Sequence, residues 1–524
     1  MHGDFRGGLN TKAAAYLLEP TQCRDCRNVQ STTTGAIVKR PGVRQITLTG
    51  SWAGEPVTLH SAESLNDNLV IATADNVYGV NVGTSTISSL FSCSNGFWSV
   101  VETTSEDSQG PVFMSNGVNT PKYWNGTSTG DWTIDTSGSP SSLTVLPNGK
   151  YLTLHESRVV SACTSDDPSS IYWSDVQVGV GTLPRVWPIE NQQLFDPDDG
   201  ETITALGKTG SNLLVFKDHK VFAVYDLATG ANRRLTTSVG CVASRSVVET
   251  PMGTLFLSDQ GVYSTNGTGV DLVSDAITPT IASITSPELC TAALFKNHYY
   301  LVSPADGLIF DFDLILKSWW VHTISGNIAD IAATNLAAGP TLYGITRTRS
   351  LGALFEPGYY TDFGSSYEWY WKGPWVTPGQ ARAVYPAVRK RLRAVRVDGG
   401  GHVSLGVSKD FYDTSTLVTS QAPDGTPVDE LFPESDATVF GPNTESRTGQ
   451  TVTYFGDFDS STDPDTLTGP TTFGDVSVIS QARVWGQGVA RAWAFNFSNA
   501  LADSTDPRAC IIDNYTIFTQ ERNQ

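Results

Sequence analysis

The sequence lacks any apolar run of the roughly 18 residues that a membrane-spanning helix requires. Its first eight residues, Met1 to Gly8, also lack the apolar core of a secretory signal peptide. Methionine occurs only 3 times in 524 residues, and the most helix-like stretch, Leu9 to Val29, is interrupted by Pro20. We therefore expect no membrane span, no signal peptide and no long amphipathic helix.

Basic residues are in short supply. The chain has 34 Lys and Arg against 53 Asp and Glu, which gives a formal net charge of −19. A protein that grips nucleic acid through its phosphates shows the opposite balance, so this class is disfavoured. Two interpretations of the acidity remain open: it keeps the protein dispersed in solution, or it lines a passage that nucleic acid crosses without sticking.

Cysteine is sparse, and the seven residues are scattered through predicted strands, which indicates reduced, buried thiols made in a cytosol. Cys23 and Cys26 form a lone C-x-x-C without the second ligand pair that a zinc site needs. We predict two small buried residues one helical turn apart. The acidic stretches 196–201 and 457–465 could offer oxygen ligands to Ca²⁺, but neither has the helix-loop-helix spacing. No metal and no other cofactor is predicted.

Enzyme signatures are missing as well. The chain contains no G-x-S-x-G elbow, no H-E-x-x-H motif and no P-loop, and its seven histidines are dispersed. The boxes of glycosidase, WD and kelch propellers are absent too. We predict no catalytic residue and a protein that is not an enzyme.

The sequence does contain a pattern of two strands joined by a turn, and this pattern recurs seven times. Each copy is an apolar run, a polar turn and a second strand that carries a large residue. These large residues are Tyr78, Tyr123, Tyr172, Phe222, Tyr263, Phe310 and Phe355, with successive differences of 45, 49, 50, 41, 47 and 45. Propeller blades of four strands need roughly 40–50 residues. The spacing predicts a β-propeller of about seven blades; six or eight remain possible, because Val159 competes with Tyr172 for the third position.

Composition divides the chain into three regions. Residues 1–50 are a loop-rich N-terminal arm, residues 51–380 hold the propeller, and residues 381–524 form a second all-β unit. The alternating strands of the last region predict a β-sandwich of the jelly-roll type. Within it, residues 421–470 are rich in Pro, Asp, Ser, Thr and Gly, which is typical of a long surface loop.

The densest basic run lies at the start of the third region and consists of Arg389, Lys390, Arg391, Arg393 and Arg396. On a strand, these residues divide between two faces. Three interpretations are open: contact with nucleic acid, pairing with carboxylates of a neighbouring subunit, or simple exposure to solvent. We retain the inter-subunit contact as the candidate functional use.

Three groups of residues carry a resemblance to a known family. The groups are the opening phrase Gly7-Gly8-Leu9-Asn10, Leu17-Leu18, Gln22, Asn28-Val29, Gly35-Ala36 and Lys39-Arg40-Pro41-Gly42, then the strand pair 213–225 followed by Gly230 and 240–243, and finally residues 170–174 with Trp187. Together they resemble the β-propeller tail structural proteins of double-stranded DNA bacteriophages. The resemblance covers about the first 270 residues.

The resemblance implies a structural virion protein of the tail nozzle or tail hub. Such a protein forms a homo-oligomeric ring, commonly sixfold, and contacts other tail proteins such as the adaptor and fibres. Its lumen holds back and then conducts viral DNA during ejection, without specific binding. The implied location is the virion tail, after synthesis in the host cytoplasm, and contact with the host surface is possible.

Two alternatives stay open at this stage. The first is a receptor- or glycan-binding propeller at the tail tip, in which some of the 13 tryptophans stack on sugars. The second is a propeller hydrolase that acts on cell-surface polysaccharide, which would need a clustered pair of acids.

Overall fold

The computed structural model describes residues 4–376, except 67, 104–108, 136–141, 177–184 and 337–338. Beyond residue 376 it describes the eleven strands from β35 onwards whose bounds are given below. Strands are the main secondary structure of these parts, and helical segments are single short turns. In the described residues, no helix is long and apolar enough to cross a membrane.

The first strands are β1 (Gly8–Leu9), β2 (Gln22–Cys23), β3 (Asp25–Arg27), β4 (Val29–Ser31), β5 (Ile37–Lys39) and β6 (Arg44–Ile46). The repeat region begins with β7 (Pro56–Ala62), β8 (Asn68–Thr73), β9 (Asn76–Asn81), β10 (Thr86–Ser92), β11 (Ser99–Glu102), β12 (Val112–Ser115), β13 (Lys122–Trp124), β14 (Thr129–Asp131), β15 (Tyr151–His155), β16 (Arg158–Ala162), β17 (Ser170–Trp173) and β18 (Gln192–Leu194).

It continues with β19 (Ala205–Thr209), β20 (Asn212–Phe216), β21 (Val221–Asp226), β22 (Ala231–Thr236), β23 (Val248–Thr250), β24 (Gly253–Ser258), β25 (Gly261–Thr265), β26 (Val270–Leu272), β27 (Thr291–Phe295), β28 (His298–Ser303), β29 (Leu308–Asp313), β30 (Ser318–Thr323), β31 (Ile328–Leu336), β32 (Gly339–Thr346) and β33 (Leu351–Leu354). One α-helical turn, α1 (Thr278–Ile281), and the 3₁₀ turns Glu63–Leu65, Pro197–Asp199, Ser244–Ser246, Asp275–Ile277 and Pro287–Leu289 connect strands.

The remaining strands are β34 (Tyr370–Lys372), β35 (Lys390–Gly400), β36 (Ser404–Lys409), β37 (Tyr412–Leu417), β38 (Ser420–Gln421), β39 (Pro427–Val428), β40 (Asn443–Arg447), β41 (Gln450–Tyr454), β42 (Ser480–Trp485), β43 (Val489–Ala490), β44 (Trp493–Ser498) and β45 (Ile511–Glu521).

The described residues contain seven four-stranded antiparallel sheets, which confirms the predicted propeller. Six of them follow the chain in simple meanders, from β7–β10 to β27–β30, and the seventh has the order β31-β32-β33-β6. The seven large residues that revealed the repeat occupy equivalent places. Six lie on the third strand of their sheet, and Phe355 follows the end of β33 by one residue.

The sheets pack face to face in chain order. Val70 and Ala72 of the first sheet share a core with Val112 and Met114 of the second, and further shared cores join the second to the third, the third to the fourth and the fourth to the fifth. Because a sheet with two apolar faces cannot bury both alone, each neighbour contributes one wall. Full burial of each aliphatic side chain contributes about 1.5–3 kcal/mol.

Residues 45–309 and 326–354 form one compact unit, here called the propeller unit. Inside it the ring closes, since Leu59 and Ile71 of the first sheet share a core with Tyr343 and Ile345 of the seventh. Closure also uses β6, which precedes the first sheet in the chain but forms the outer strand of the last. Both chain ends of the ring are thereby fixed in one sheet.

Turn chemistry agrees with the sequence. Gly117 and Gly126 follow asparagines in the turns that flank β13, and both have a left-handed φ, of 73° and 89°. Glycine adopts this conformation without the steric cost that a Cβ imposes. Asn125 adds acceptor bonds to the N–H groups of Thr127 and Ser128.

Residues 1–44, 310–325 and 355–524 form the other compact unit, here called the sandwich unit. It contains a five-stranded sheet, β3-β34-β44-β36-β37, and a six-stranded one, β4-β5-β45-β35-β42, with β43 also paired to β35. By these limits β30 and most of β29, the outer strands of the sixth four-stranded sheet, also belong to this unit. Aromatic rings join the two sheets: Tyr515 of β45 lies 5.4 Å from Phe495 and 5.6 Å from Phe497 of β44. Phe5 and Trp371 complete this core, with centroids 5.1 Å apart.

This grouping differs from the sequence-based limits of 1–50, 51–380 and 381–524. The N-terminal arm is not a separate region, because β3 pairs with β34, and β5 pairs with β45 near the end of the chain. Pairing over such sequence distances leaves no local signal. In the predicted loop 421–470, the described residues include the hairpin β40–β41.

Candidate functional site

The candidate site lies at the end of the propeller unit where the first strands of the sheets begin. From the 3₁₀ turn just before β23, Arg245 contacts two other sheets and the segment that leads into a third. Its Nη1 donates to the carbonyl of Val57 and, at 3.0 Å, to Asp330 Oδ2, and its Nη2 donates to the Leu289 carbonyl at 3.2 Å. One side chain at the entrance to the fifth sheet thus contacts residues of the first and seventh sheets and the segment that leads into the sixth.

Asp330 is positioned for this contact by its own strand. The register of β31 against β32 shifts between Ile328 and Asp330, and such a bulge re-aims a side chain. Asp330 is 2% exposed, and its carboxylate also accepts the N–H groups of Leu59 at 2.6 Å and of Ile331 at 2.9 Å. A buried carboxylate is tolerated when it is paired and hydrogen-bonded, as this one is.

Aromatic rings border the same place. The Arg245 guanidinium lies 5.7 Å from the centre of the Phe97 ring, and Lys150 Nζ lies 5.5 Å from that ring and 5.4 Å from Tyr151. Phe97 and Tyr151 meet edge to face at 6.0 Å. Burial raises the pKa of Tyr151 well above its ordinary value, so its hydroxyl stays neutral. The arrangement is a cation–π cluster beside an ion pair.

The chemistry of this end of the ring is suited to holding neighbouring sheets together. The contacts of Arg245 with Val57, Asp330 and Leu289 restrain the first sheet, the seventh sheet and the segment before the sixth relative to one another. We describe the group formed by Phe97, Tyr151, Arg245 and Asp330 as the axial brace.

A second charged cluster occupies the acidic stretch 196–201 and the β20–β21 turn. The Lys217 ammonium is buried and donates to both oxygens of Asp199 at 2.9 and 3.0 Å, and Lys220 donates to the same carboxylate at 2.6 Å. Burial raises the pKa of Asp199, but the bonds from Lys220 and Lys217 outweigh it and lower the pKa to about 2.

Arg234 pairs with Asp196 at 2.8 Å. The carboxylate oxygens that a Ca²⁺ ion would need as ligands are therefore already paired with these lysines and with Arg234. Within the described parts of the chain, no group of three or more His, Cys, Asp or Glu residues could hold a metal ion. The second acidic stretch, 457–465, lies outside the described residues.

One Ser–His–acid grouping occurs at the opposite end of the first sheet. Ser64 Oγ donates to Glu102 Oε2 at 2.5 Å, and His60 Nε2 lies 3.5 Å from Glu102 Oε1. The carboxylate therefore lies between the hydroxyl and the imidazole. Nucleophilic catalysis needs the imidazole next to the hydroxyl, so this order does not activate Ser64.

Cys23 and Cys26 are both buried free thiols, as predicted for the C-x-x-C pair. The expected helical turn between them is wrong, because Cys23 lies on β2 and Cys26 on β3. Strand pairing with β1 and β34 determines their conformation.

The predicted basic run falls on β35, apart from Arg389, which lies outside the described residues. Lys390, Arg391, Arg393 and Arg396 belong to a strand paired with β45 on one side and with β42 and β43 on the other. A register shift between Leu392 and Ala394 interrupts the alternation of faces at Arg393. Both backbone edges are occupied, so a subunit contact here would have to use side chains. The inter-subunit role stays a prediction.

Sequence reasoning missed the role of Arg40 in the opening phrase. Arg40 is fully buried in the sandwich unit and donates to Asp362 through Nη1 at 3.0 Å and Nη2 at 2.6 Å. Its Nε donates to Asn28 Oδ1 at 2.9 Å, and its guanidinium lies 3.9 Å from the centre of the Tyr367 ring. Two polar residues of the phrase, Asn28 and Arg40, thus meet in one buried network.

The tryptophans also have a structural use. Twelve of the thirteen have described side chains, and all twelve are buried, with at most 6% exposure. Trp132, for example, packs against Phe113 and Trp187. Burial to this degree is typical of rings that pack in a core.

No protein-family model matches the sequence, and no curated protein sequence is similar to it. Among solved structures, the chain is similar to streptogramin B lyase, with 10% identity over 60% of this chain and 97% of that one and a TM-score of 0.42. It is also similar to U3-55K (9% identity, 60% and 99% coverage, TM-score 0.39) and to the WD40 repeats of RRP9 (9%, 60% and 99%, 0.41). None of these similarities bears on what this chain does.

Proposed function

We propose that the chain is a structural protein of a bacteriophage tail, a ring component of the nozzle or hub type, located in the virion and made in the host cytoplasm. The observation that carries the proposal is the buried network of Asn28, Arg40 and Asp362. This network explains why Asn28 and Arg40 are part of the opening phrase on which the resemblance rests: both residues are needed to form it. The phrase fixes the N-terminal segment to residues 323 and 359–368 of the sandwich unit.

The proposed mechanism is mechanical. Each sheet of the propeller unit is held between two neighbours, and the axial brace ties together segments from several sheets. Such a unit resists deformation, because any one sheet can move only by breaking packed cores on both sides. This rigidity suits the wall of a conduit. In this role the chain is not an enzyme.

Surface charge supports the passage of DNA. Asp166, Asp167, Asp198 and Asp259 are exposed in turns at the end of the propeller unit where the first strands begin. Carboxylates repel phosphates within the screening distance of about 8 Å at physiological salt. A lumen lined by such turns would let DNA slide without being held.

The proposed partners are further copies of this chain, arranged in a hexameric ring, and other tail proteins such as the adaptor and fibres. The side chains of Lys390, Arg391, Arg393 and Arg396 would meet carboxylates of a neighbouring copy. In a chain with a net charge of −19, such a basic segment is electrostatically complementary to the rest of the surface.

The test is assembly. The purified full-length protein should form closed rings in negative-stain images, alone or after addition of adaptor and fibre proteins, and should be found in the tail of the virion. Replacement of Arg391 and Arg396 by Glu should reduce ring formation, whereas Arg233→Glu on exposed β22 should not. A protein that stays monomeric under all these conditions and is absent from virions would refute the proposal.

The glycan-binding alternative loses its original argument, because the described tryptophans are buried. It would have to rest on a site of another kind.

A further inference from the structure

A pocket of about 430 Å³ lies in the propeller unit between the segment around β6 and the β32–β33 turn. Its polar lining includes Thr47, Ser51, Arg349 and Ser350, and its apolar lining includes Ile46, Leu48, Trp52 and Leu351. Small-molecule sites in proteins usually have volumes of about 300–1,000 Å³ and combine apolar walls with a few polar groups. The pocket meets both criteria.

Arg349 is the charged group of this pocket. In the described part of the chain its one hydrogen bond runs from its backbone N–H to the Thr346 carbonyl, at 3.0 Å. Its neighbour Arg347, by contrast, pairs with Glu55 at 2.5 Å. The Arg349 guanidinium is thus available to an anion, in a chain whose acids outnumber its bases 53 to 34.

Arg349 also occupies an unusual backbone position. Its φ is +69°, a left-handed conformation that glycine and asparagine tolerate better than longer side chains do. Fourteen other non-glycine residues of the described chain share a positive φ, so this conformation identifies a tight turn and does not by itself indicate a ligand.

The other polar groups are hydroxyls. Those of Thr47, Ser51 and Ser350 make no side-chain hydrogen bond within the described residues, and each can donate one bond and accept two. Thr47 and Ser51 are exposed, so a ligand would exchange their bonds to water for bonds to itself. The Trp52 indole N–H is buried and has no acceptor among the described residues. A ligand that carries several hydroxyls and a negative charge would match this set.

We propose that this pocket binds a carboxylate-bearing sugar of the uronic acid class. A guanidinium pairs with a planar carboxylate through two parallel hydrogen bonds, which the Arg349 fork can provide. Hydroxyls of the pocket match hydroxyls of the sugar, and Ile46, Leu48 and Leu351 provide apolar surface for its C–H groups. The volume is larger than a lone carboxylate needs. The proposal goes beyond the tail role and does not depend on it.

The test uses the full-length protein and D-glucuronate, with binding followed by saturation-transfer NMR and calorimetry. We expect a dissociation constant on the order of 1–10 mM, typical of one small polar ligand. D-glucose lacks the carboxylate and acetate lacks the hydroxylated ring, so each should bind at least about tenfold more weakly, the loss of one charged contact. Methyl β-D-glucuronide tests whether the pocket takes a free acid or a sugar unit within a glycan chain. If the ligand is a chain unit, the methyl glycoside should bind as well as D-glucuronate. If the ligand is the free acid, D-glucuronate should bind better than the methyl glycoside.

Arg349→Asn is the informative variant, because asparagine tolerates the left-handed backbone and the turn should survive. It should weaken D-glucuronate binding at least about tenfold, and Arg349→Lys should weaken it less, since a charge remains. Arg233→Asn removes the same charge from exposed β22 and should leave binding unchanged. Equal binding by the wild type and Arg349→Asn, equal binding of acetate and D-glucuronate, or no binding by the wild type would overturn the proposal.

Discussion

Arg40 and Asp362 form a bidentate ion pair with both side chains fully removed from solvent. The two N–O distances are 2.6 and 3.0 Å, and the residues are 322 positions apart in the chain. The Arg40 guanidinium also stacks on Tyr367, whose hydroxyl donates to the Arg40 carbonyl. The pair is therefore enclosed by hydrogen bonds and an aromatic face.

Removal of one partner should be costly. Arg40→Met leaves the Asp362 carboxylate buried without its cation, and such a change typically costs about 3–5 kcal/mol. Chemical denaturation of the full-length protein should show this loss. The double variant Arg40→Met with Asp362→Asn should recover part of it, since no unpaired charge remains buried. A single variant as stable as the wild type would contradict the interpretation of the network.

The axial brace predicts a local effect. Arg245→Met removes the cation beside buried Asp330 and should cost about 1–3 kcal/mol. Hydrogen exchange should accelerate at the Leu59 amide, whose bond to Asp330 Oδ2 depends on the position of that carboxylate. Arg233→Met, on exposed β22, is the matched control and should alter neither quantity. Unchanged exchange at Leu59 in Arg245→Met would show that the brace does not hold Asp330 in place.

Asp199 predicts an acid dependence of stability. Its folded pKa, about 2, lies below the ordinary aspartate value of about 3.9. A lowered folded pKa means that the ionised form stabilises the fold above the unfolded pKa, and that this contribution is lost as the pH falls toward 2. The free energy of unfolding of the wild type should therefore exceed that of Asp199→Asn above pH 4, with the difference shrinking between about pH 4 and 2.

The control for this titration is Asp166→Asn, which alters an exposed carboxylate that accepts a hydrogen bond from the Ser165 hydroxyl at 3.4 Å. Its stability should follow that of the wild type across the whole range. A difference between wild type and Asp199→Asn that stays constant with pH would exclude the proposed pairing.

Gly42 offers a test of close packing in the sandwich unit. A Cβ at this position would lie 2.7 Å from the Thr361 backbone nitrogen and closer still to the Thr361 carbonyl oxygen. Gly42→Ala should therefore force the two segments apart and destabilise the protein by about 1–3 kcal/mol. At Gly269 a Cβ would meet nothing within 4 Å, so Gly269→Ala should be neutral or slightly stabilising. Thermal melts of both variants make the comparison.

The repeat was predictable because every sheet must bury the same two faces. Large residues such as Tyr78 and Phe222 recur at blade spacing since they occupy the same strand of successive sheets. The axial brace was not predictable. Arg245 and Asp330 are 85 residues apart, and only ring closure brings them together. The pocket around Arg349 was hidden for the same reason, since its lining comes from both ends of the ring.

The limits of the second unit were missed for a related physical reason. Alternating hydrophobicity identifies strands such as β5 and β45 but does not say which strands pair. Their contact joins residues 37–38 to residues 511–512. The prediction for Cys23 and Cys26 was right about their burial and wrong about the helical turn, because small buried thiols fit either a helix or a strand. Their spacing alone could not decide between the two.

The strand β6 has a consequence for synthesis on the ribosome. Its partner β33 is translated about 300 residues later, from Ile46 to Leu351. At about 5–20 residues per second, the nascent chain therefore carries this strand without its partner for about 15–60 s. An unpaired strand edge is a site of aggregation. Expression yield should thus depend on translation speed and chaperones more than the stability of the finished protein would suggest.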